Sequence, residues 1–212
     1  VLRARIDQEV IFFDGVSPED HLYIMVHINK NTVSFRKQEI IQKTSELFPT
    51  LELFQALPNK LEKIESIVQK CCEIGYKKIV FFVSQRSQKL IISESKKQRF
   101  EKIAIEAIEQ CWGNSIPEIL FFGDDFSFEK DMIQEKTTIK TLSLFCHTSG
   151  KSAKKLSDIS FEKRDIIQVF VWPEGWFSEN EAKAFETNSL QQVYFWNRIL
   201  RCETVGEVVW FY

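Results

Sequence analysis

The 212-residue sequence predicts an α/β fold, with a mostly parallel sheet covered by helices and a small β module in front of it. Three observations predict it. After Pro49, strand-like apolar runs alternate with segments of helical period, the alternation that gives a parallel sheet. Three late strand-like runs each lead straight into a loop. Before about Lys37 there is no helical period at all.

The opening segment reads as short strands and turns. Val10–Phe13 is apolar, Asp14-Gly15 signals a turn, and Leu22–Ile28 is again strand-like. Asn29-Lys30-Asn31 makes a second turn before Thr32–Phe35. The pattern predicts a β module over residues 1–48, too small to stand alone comfortably.

From residue 49 onward the period changes. Leu51–Leu57 is a strand closed by Pro58-Asn59. Leu61, Ile64, Ile67, Val68, Cys71 and Ile74 then follow at helical spacing, with Gly75 where a helix stop belongs. Lys78–Val83 is a buried strand, and Phe100, Ile103, Ala104, Ala107, Ile108 and Cys111 mark a second helix. The last third holds Thr141–Phe145, Ile166–Val171 and Gln192–Phe195, which lead into loops 146–150, 172–177 and 196–201. Ligands of open parallel sheets sit beyond the carboxyl ends of the strands, so these loops form the default site. Ser178 with Glu181 spells a capping box, which starts a helix directly after the middle loop.

Composition narrows the function classes. No apolar run approaches the roughly 20 residues that span a bilayer. Five scattered cysteines without a CxxC pair predict packed, reduced thiols of a cytosolic protein rather than disulfides or a metal site. A formal charge of −2 argues against a purely electrostatic nucleic-acid binder but leaves room for one local basic face. There is no phosphate-binding loop, GxGxxG, HExxH or GxSxG, so the usual ATPase, dehydrogenase, protease and hydrolase readings lose their main support. His21, His27 and His147 have neither metal spacing nor triad partners, although His147 falls in a candidate loop.

On shape alone, two segments stay open between a site and ordinary structure. Val171–Phe177 is either a tight turn whose amides hold a polar ligand or a plain βα loop. Asn197–Thr204, with two arginines and a glutamate, is either catalytic or a solvated charge run.

Taken in order along the chain, the loops resemble the 16S rRNA uracil-N3 methyltransferases, the RsmE type of the knotted SPOUT superfamily. Val1-Leu2-Arg3 resembles "hVLR", and Gln69-Lys70 with Glu73-Ile74-Gly75 resembles "qKatELG". Ser84–Ser87 is similar to "SeRs". Lys102-Ile103-Ala104, Glu109-Gln110-Cys111 and Asn114 through Ile119 are similar to "kIa.eA.eQ…vPei". Pro173-Glu174-Gly175 with Glu181 resembles "GPEGGfs..E", and Arg198–Arg201 with Glu203-Thr204 resembles "LGpRILRtETA".

The resemblance implies a trefoil-knotted domain over 49–212 and a PUA-like RNA-binding barrel over 1–48, N-terminally truncated. It implies a cytoplasmic homodimer, without metal or membrane, that binds S-adenosyl-L-methionine and acts on the 16S rRNA of the small ribosomal subunit. The cofactor would be held by Leu144, Phe145, Val171, Trp172, Pro173, Glu174, Gly175, Trp176, Phe195, Trp196, Arg198, Ile199, Leu200, Arg201 and Thr204, largely through main-chain groups. Arg198 and Arg201 would stabilise charge on the uracil oxygens, and Glu203 or Glu174 would take the N3 proton. Arg3, Arg5, Lys70, Arg86, Gln110 and Asn114 would touch RNA. Competing readings are a non-catalytic RNA-binding relative and another knotted methyltransferase acting on tRNA or a ribose hydroxyl.

The departures from the family pattern form a pattern of their own. Trp112, Trp172, Trp176 and Trp196 each stand where the family has glycine, and Gly113 stands where many relatives carry a basic residue. Glycine numbers only 7, against about 15 expected from average usage. Both facts follow if the source reads UGA as glycine and the sequence was translated with UGA as tryptophan. Codons other than UGA at those four positions end that reading.

Overall fold

The computed structural model describes residues 4–17, 19–42, 47–88, 90–123, 139–146, 153–161, 164–195 and 199–209. The N-terminal segment forms a three-stranded antiparallel sheet, β1 (Glu9–Phe12), β2 (Glu19–Ile28) and β3 (Val33–Gln42), in that order. β3 runs past the sequence expectation of Phe35 because backbone pairing with β2, not burial, defines it. Residues 33–40 are all exposed, so they carry no apolar alternation to read.

The remaining strands build one seven-stranded parallel sheet. They are β4 (Thr50–Ala56), β5 (Lys78–Phe82), β6 (Glu118–Phe122), β7 (Thr141–Cys146), β8 (Lys154–Lys155), β9 (Ile166–Val171) and β10 (Gln191–Tyr194), ordered β6-β5-β4-β9-β7-β10-β8. β9 lies at the centre, with Val169, Phe170 and Val171 fully buried, as parallel strands covered on both faces require. A polar thread crosses the sheet in register. Ser143 of β7 donates to Gln168 of β9 (2.8 Å), which donates to Glu52 of β4 (2.9 Å).

Helices α1 (Leu61–Ile74) and α2 (Glu94–Cys111) pack on each other, and α4 (Cys202–Val208) packs on α1 and β9. Tyr76, buried beside them, donates its hydroxyl to the Gly206 carbonyl of α4 (2.8 Å). The short α3 (Glu179–Thr187) follows the middle loop. None of the described helices is long and apolar enough to cross a membrane.

Among the described residues, hydrogen bonds join the segment of the small sheet to the loop that leads into β6 of the large one. Asn114 donates to Asp20 and the Ile116 amide donates to the Gly15 carbonyl. The crossings that would tie a knot fall on 147–152 and 196–198, which lie outside the described residues, as does His147. The described strands give the order β9-β7-β10, which gathers the carboxyl ends of β9, β7 and β10 on one edge.

Candidate functional site

The site is built outward from the end of β9. Past Val171 the chain turns over Pro173–Trp176, closed by the Trp176 amide donating to the Pro173 carbonyl (3.0 Å). The Ser178 capping box then starts α3. Its hydroxyl accepts from the Glu181 amide (3.2 Å), and Glu181 accepts from the Ser178 amide (2.7 Å). The other oxygen of Glu181 accepts from the Gln85 amide (2.9 Å), and Arg86 donates to the Gly175 carbonyl (3.1 Å). The segment after β5 thus braces the turn after β9. A side chain at Gly175 would be tight there, because a Cβ would lie 3.0 Å from Arg86 Cβ and 3.3 Å from its carbonyl oxygen, and Arg86 would have to shift.

Below this turn opens a cavity of about 300 Å³, lined by Lys63, Trp172, Glu174, Trp176, Ile199, Leu200, Arg201, Cys202 and Glu203. Lys63 of α1 bonds Glu174 at 2.5 Å and stands 3.8 Å from Glu203. The Asn59 amide donates to the same Glu174 oxygen (3.1 Å). Burial pushes the Lys63 ammonium down, but its hydrogen bond to Glu174 and the neighbouring negative charges outweigh this and leave it above its usual value. Burial pushes the Glu174 carboxyl up. Its bonds from Lys63 and from backbone amides win, and it sits below the usual carboxylate range.

Burial and its hydrogen bond to Glu203 (3.2 Å) push the Cys202 thiol up to about 12. It is therefore a thiol donor here and not a thiolate nucleophile. Beneath the loop, Gln55 is fully buried and donates to the Trp172 carbonyl (3.2 Å). Its Oε1 and the Oδ1 of Asn59 are buried acceptors with no partner among the described residues.

Two larger hollows lie elsewhere. One, of about 710 Å³, separates the β1–β2 sheet from the end of α2, and the other, of about 740 Å³, runs between α1 and α2. Neither sits at the carboxyl ends of the parallel strands, where backbone groups and loops converge.

Of the residues expected to hold a cofactor, Trp172, Glu174, Trp176, Ile199, Leu200 and Arg201 line the cavity, together with Glu203. Leu144, Phe145, Val171 and Phe195 are buried in the core and do not line this cavity. Pro173 and Gly175 shape the turn, and the Thr204 amide donates to the Arg201 carbonyl. Trp196 and Arg198 lie outside the described residues, as does Arg3.

The residues expected at RNA are dispersed. Arg5 and Gln110 are exposed, Lys70 pairs with Glu73 on α1 (2.7 Å), and Arg86 braces the turn. Asn114 is fully buried and holds Asp20, so it joins the two sheets instead of facing solvent. Sequence reasoning missed Gln55, Asn59 and Lys63. A signal existed: β4 also ends at this edge of the sheet, and its last residues include a glutamine amid apolar neighbours.

The tryptophans at expected glycine positions have unusual surroundings. Trp172 is buried and stacks on Trp176 with centroids 4.5 Å apart and planes at 19°. Trp176 holds φ 64° and Trp112 holds φ 63°, the left-handed region that favours glycine.

The chain is similar to known proteins along most of its length. The chain is 29% identical over 218 residues to a ribosomal RNA small subunit methyltransferase E of Buchnera aphidicola, covering 98% of this chain and 79% of that one. It is 29% identical to the protein of the same name from Bacillus subtilis, covering 84% and 70%. Among solved structures it resembles ribosomal RNA small subunit methyltransferase E of Neisseria gonorrhoeae bound to S-adenosyl methionine, at 25% identity and TM-score 0.79, over 98% of this chain and 82% of that one. A Legionella pneumophila protein solved with SAM shares the fold at TM-score 0.81 and 24% identity, over 97% and 82%. The family model described as an RNA methyltransferase domain matches residues 44–210, and the chain belongs to that family.

Proposed function

We propose that this chain methylates N3 of a uridine in 16S ribosomal RNA, in the cytoplasm, with S-adenosyl-L-methionine as donor. The observation that carries the proposal is the cavity at the strand ends, where Glu203, Lys63, Glu174 and Arg201 meet in a chain of the RNA methyltransferase family. The lining suits the donor's chemistry. The carboxylates at Glu174 and Glu203 suit the positive charge of a sulfonium. The unpartnered Gln55 and Asn59 oxygens can accept from N–H groups of a ligand. When bound, the donor supplies an electrophilic methyl group on sulfur.

The protein's own work is alignment and charge. Uridine N3 carries a proton at neutral pH, which must leave as the nitrogen attacks. Glu174 is committed to Lys63 and the Asn59 amide and held low, which makes it a weak base. Glu203, 17% exposed in its side chain and unpaired at hydrogen-bond distance with either cation, is the better acceptor. Arg201, 85% exposed at the rim, would stabilise negative charge on the uracil oxygens once RNA covers it, with Arg198 beside it in sequence. The main chain of 171–176 and 195–201 would hold the donor. Exposed Ile199 and the open rim favour a second copy of the chain closing the site, and the three-stranded sheet with Arg5 favours an RNA-gripping module over 1–48.

Nucleoside mass analysis of 16S rRNA tests the proposal. Deleting the gene should remove one N3-methyluridine, and complementation should restore it. Retention of that nucleoside, or loss of a tRNA or ribose methyl group instead, would overturn it. A second reading, an RNA-binding relative without activity, is favoured by one observation: the Trp172–Trp176 stack fills part of the cavity.

A further inference from the structure

We infer that Lys63 is a positioning residue whose ammonium ties Glu174 of the β9–α3 loop to Glu203 at the start of α4, fixing the spacing of two walls of the cavity. The inference rests on the reading of that cavity as the methyl-transfer site.

The geometry is specific. Glu174 and Glu203 belong to segments separated along the chain, and both carboxylates face one cavity of about 300 Å³. Two like charges in one partly covered space repel. Among the described lining residues only Lys63 and Arg201 carry positive charge, and Arg201 is 85% exposed while Lys63 is 22% exposed. Lys63 bonds Glu174 directly, and at 3.8 Å it reaches Glu203 through charge alone. The grip on Glu174 is doubled, because the Asn59 amide, just before α1, donates to the same oxygen.

The first turn of α1 therefore holds the loop after β9 from below, while Arg86 holds it from above through the Gly175 carbonyl. The ordinary alternative is a surface ion pair of the kind that Lys97 makes with Glu94 one turn away on α2. That pair joins two residues of one helix and can set no distance between walls. Lys63 joins three separate segments: α1, the 172–178 loop and α4.

The test compares Lys63→Met, Lys63→Arg and the control Lys97→Met in the full chain. Three readouts are taken: carbon-13 NMR titration of the Glu174 carboxyl, tryptophan fluorescence from Trp172 and Trp176 on either side of it, and calorimetry with S-adenosylmethionine. In Lys63→Met the Glu174 titration should move to higher pH and the emission should shift to the red. Donor affinity should fall about tenfold or more, the loss that a displaced wall of a site carries. The KM for the donor should rise more than kcat falls. Lys63→Arg should recover most of each change, since it keeps the charge with a different fork. Lys97→Met should leave all readouts as in the native chain.

An unmoved Glu174 titration in Lys63→Met overturns the inference, and so does a moved titration with donor affinity within about twofold of native. If neither the native chain nor its Trp172→Gly, Trp176→Gly form binds the donor, the methyl-transfer reading fails instead. The tie itself then stands or falls on the titration and the fluorescence.

Discussion

Helices α1 and α2 end in the same backbone turn with residues of opposite size. At the end of α1, Gly75 takes φ 100° and ψ 27°, and its amide donates to the Cys71 and Cys72 carbonyls. At the end of α2, Trp112 takes φ 63° and ψ 32°, and its amide donates to the Ile108 carbonyl. A left-handed residue that satisfies the last carbonyls is a common way to stop a helix, and glycine fills it without a Cβ penalty. Any other L-residue gives up about 1–2 kcal/mol there. Trp112 recovers little of that by burial, since it is 64% exposed. Trp176 repeats the contradiction at φ 64° in the middle of the site. Asp7 and Ser189 also hold positive φ, but short polar side chains suit that region and an indole does not. The comparison teaches that the backbone at 112 and 176 is shaped for glycine, as the UGA reading requires.

The largest expected effect lies at the cavity. The indoles of Trp172 and Trp176 stack across its lining, so replacing both with glycine should tighten S-adenosylmethionine binding by about tenfold or more, roughly 1.4 kcal/mol. Calorimetry on the two forms reads it directly. Equal failure of both to bind would instead favour the RNA-binding relative. The codons sharpen the same point without a protein, because one UGG at 112, 172, 176 or 196 removes the recoding account.

Next come the two helix ends. Gly75→Ala should destabilise by about 1–2 kcal/mol, because its φ is strained for any Cβ and that Cβ would meet the Leu47 side chain at 3.3 Å. Trp112→Gly should do the reverse and stabilise by about 1 kcal/mol, raising Tm by roughly 2–4 °C for a chain of this size. Thermal unfolding of both variants checks the pair. A Trp112→Gly variant that melts lower than the native chain breaks the comparison.

Much of the fold was legible because its signals are local. A parallel strand buried on both faces must be an apolar run, so β5 and β9 stand out, and α1 shows its buried stripe and its glycine stop within one window. The Ser178–Glu181 cap is chemistry at a fixed spacing and appears with both bonds made. What was not legible depends on partners far away in sequence. β3 runs to Gln42 on pairing alone, and β8 is two lysines placed beside β10. In the site, the loop after β9 was readable, but its grip on Lys63 spans 111 residues and follows no spacing rule. Arg86 is exposed after a strand, and nothing at its position in the sequence marks the Gly175 carbonyl it braces.

The smallest effect concerns charge at the same loop. Glu174 is held below its ordinary value near 4.5, so its contribution to stability is present above that pH and fades as pH falls through the lower, folded value. Lys63 is held above its ordinary value near 10.5, so its contribution is present below that pH and fades as pH rises through the higher, folded value. Both side chains are partly exposed, so solvent screening keeps the sum below about 1 kcal/mol. The difference in Tm between the native chain and a Lys63→Met, Glu174→Gln double variant should therefore be flat across neutral pH and shrink on the acid side below 4.5. Taking the difference removes carboxylates common to both proteins. A difference that grows as pH falls would mean that the carboxyl is stabilised in its protonated form, and the loop would then be held by something other than this ion pair.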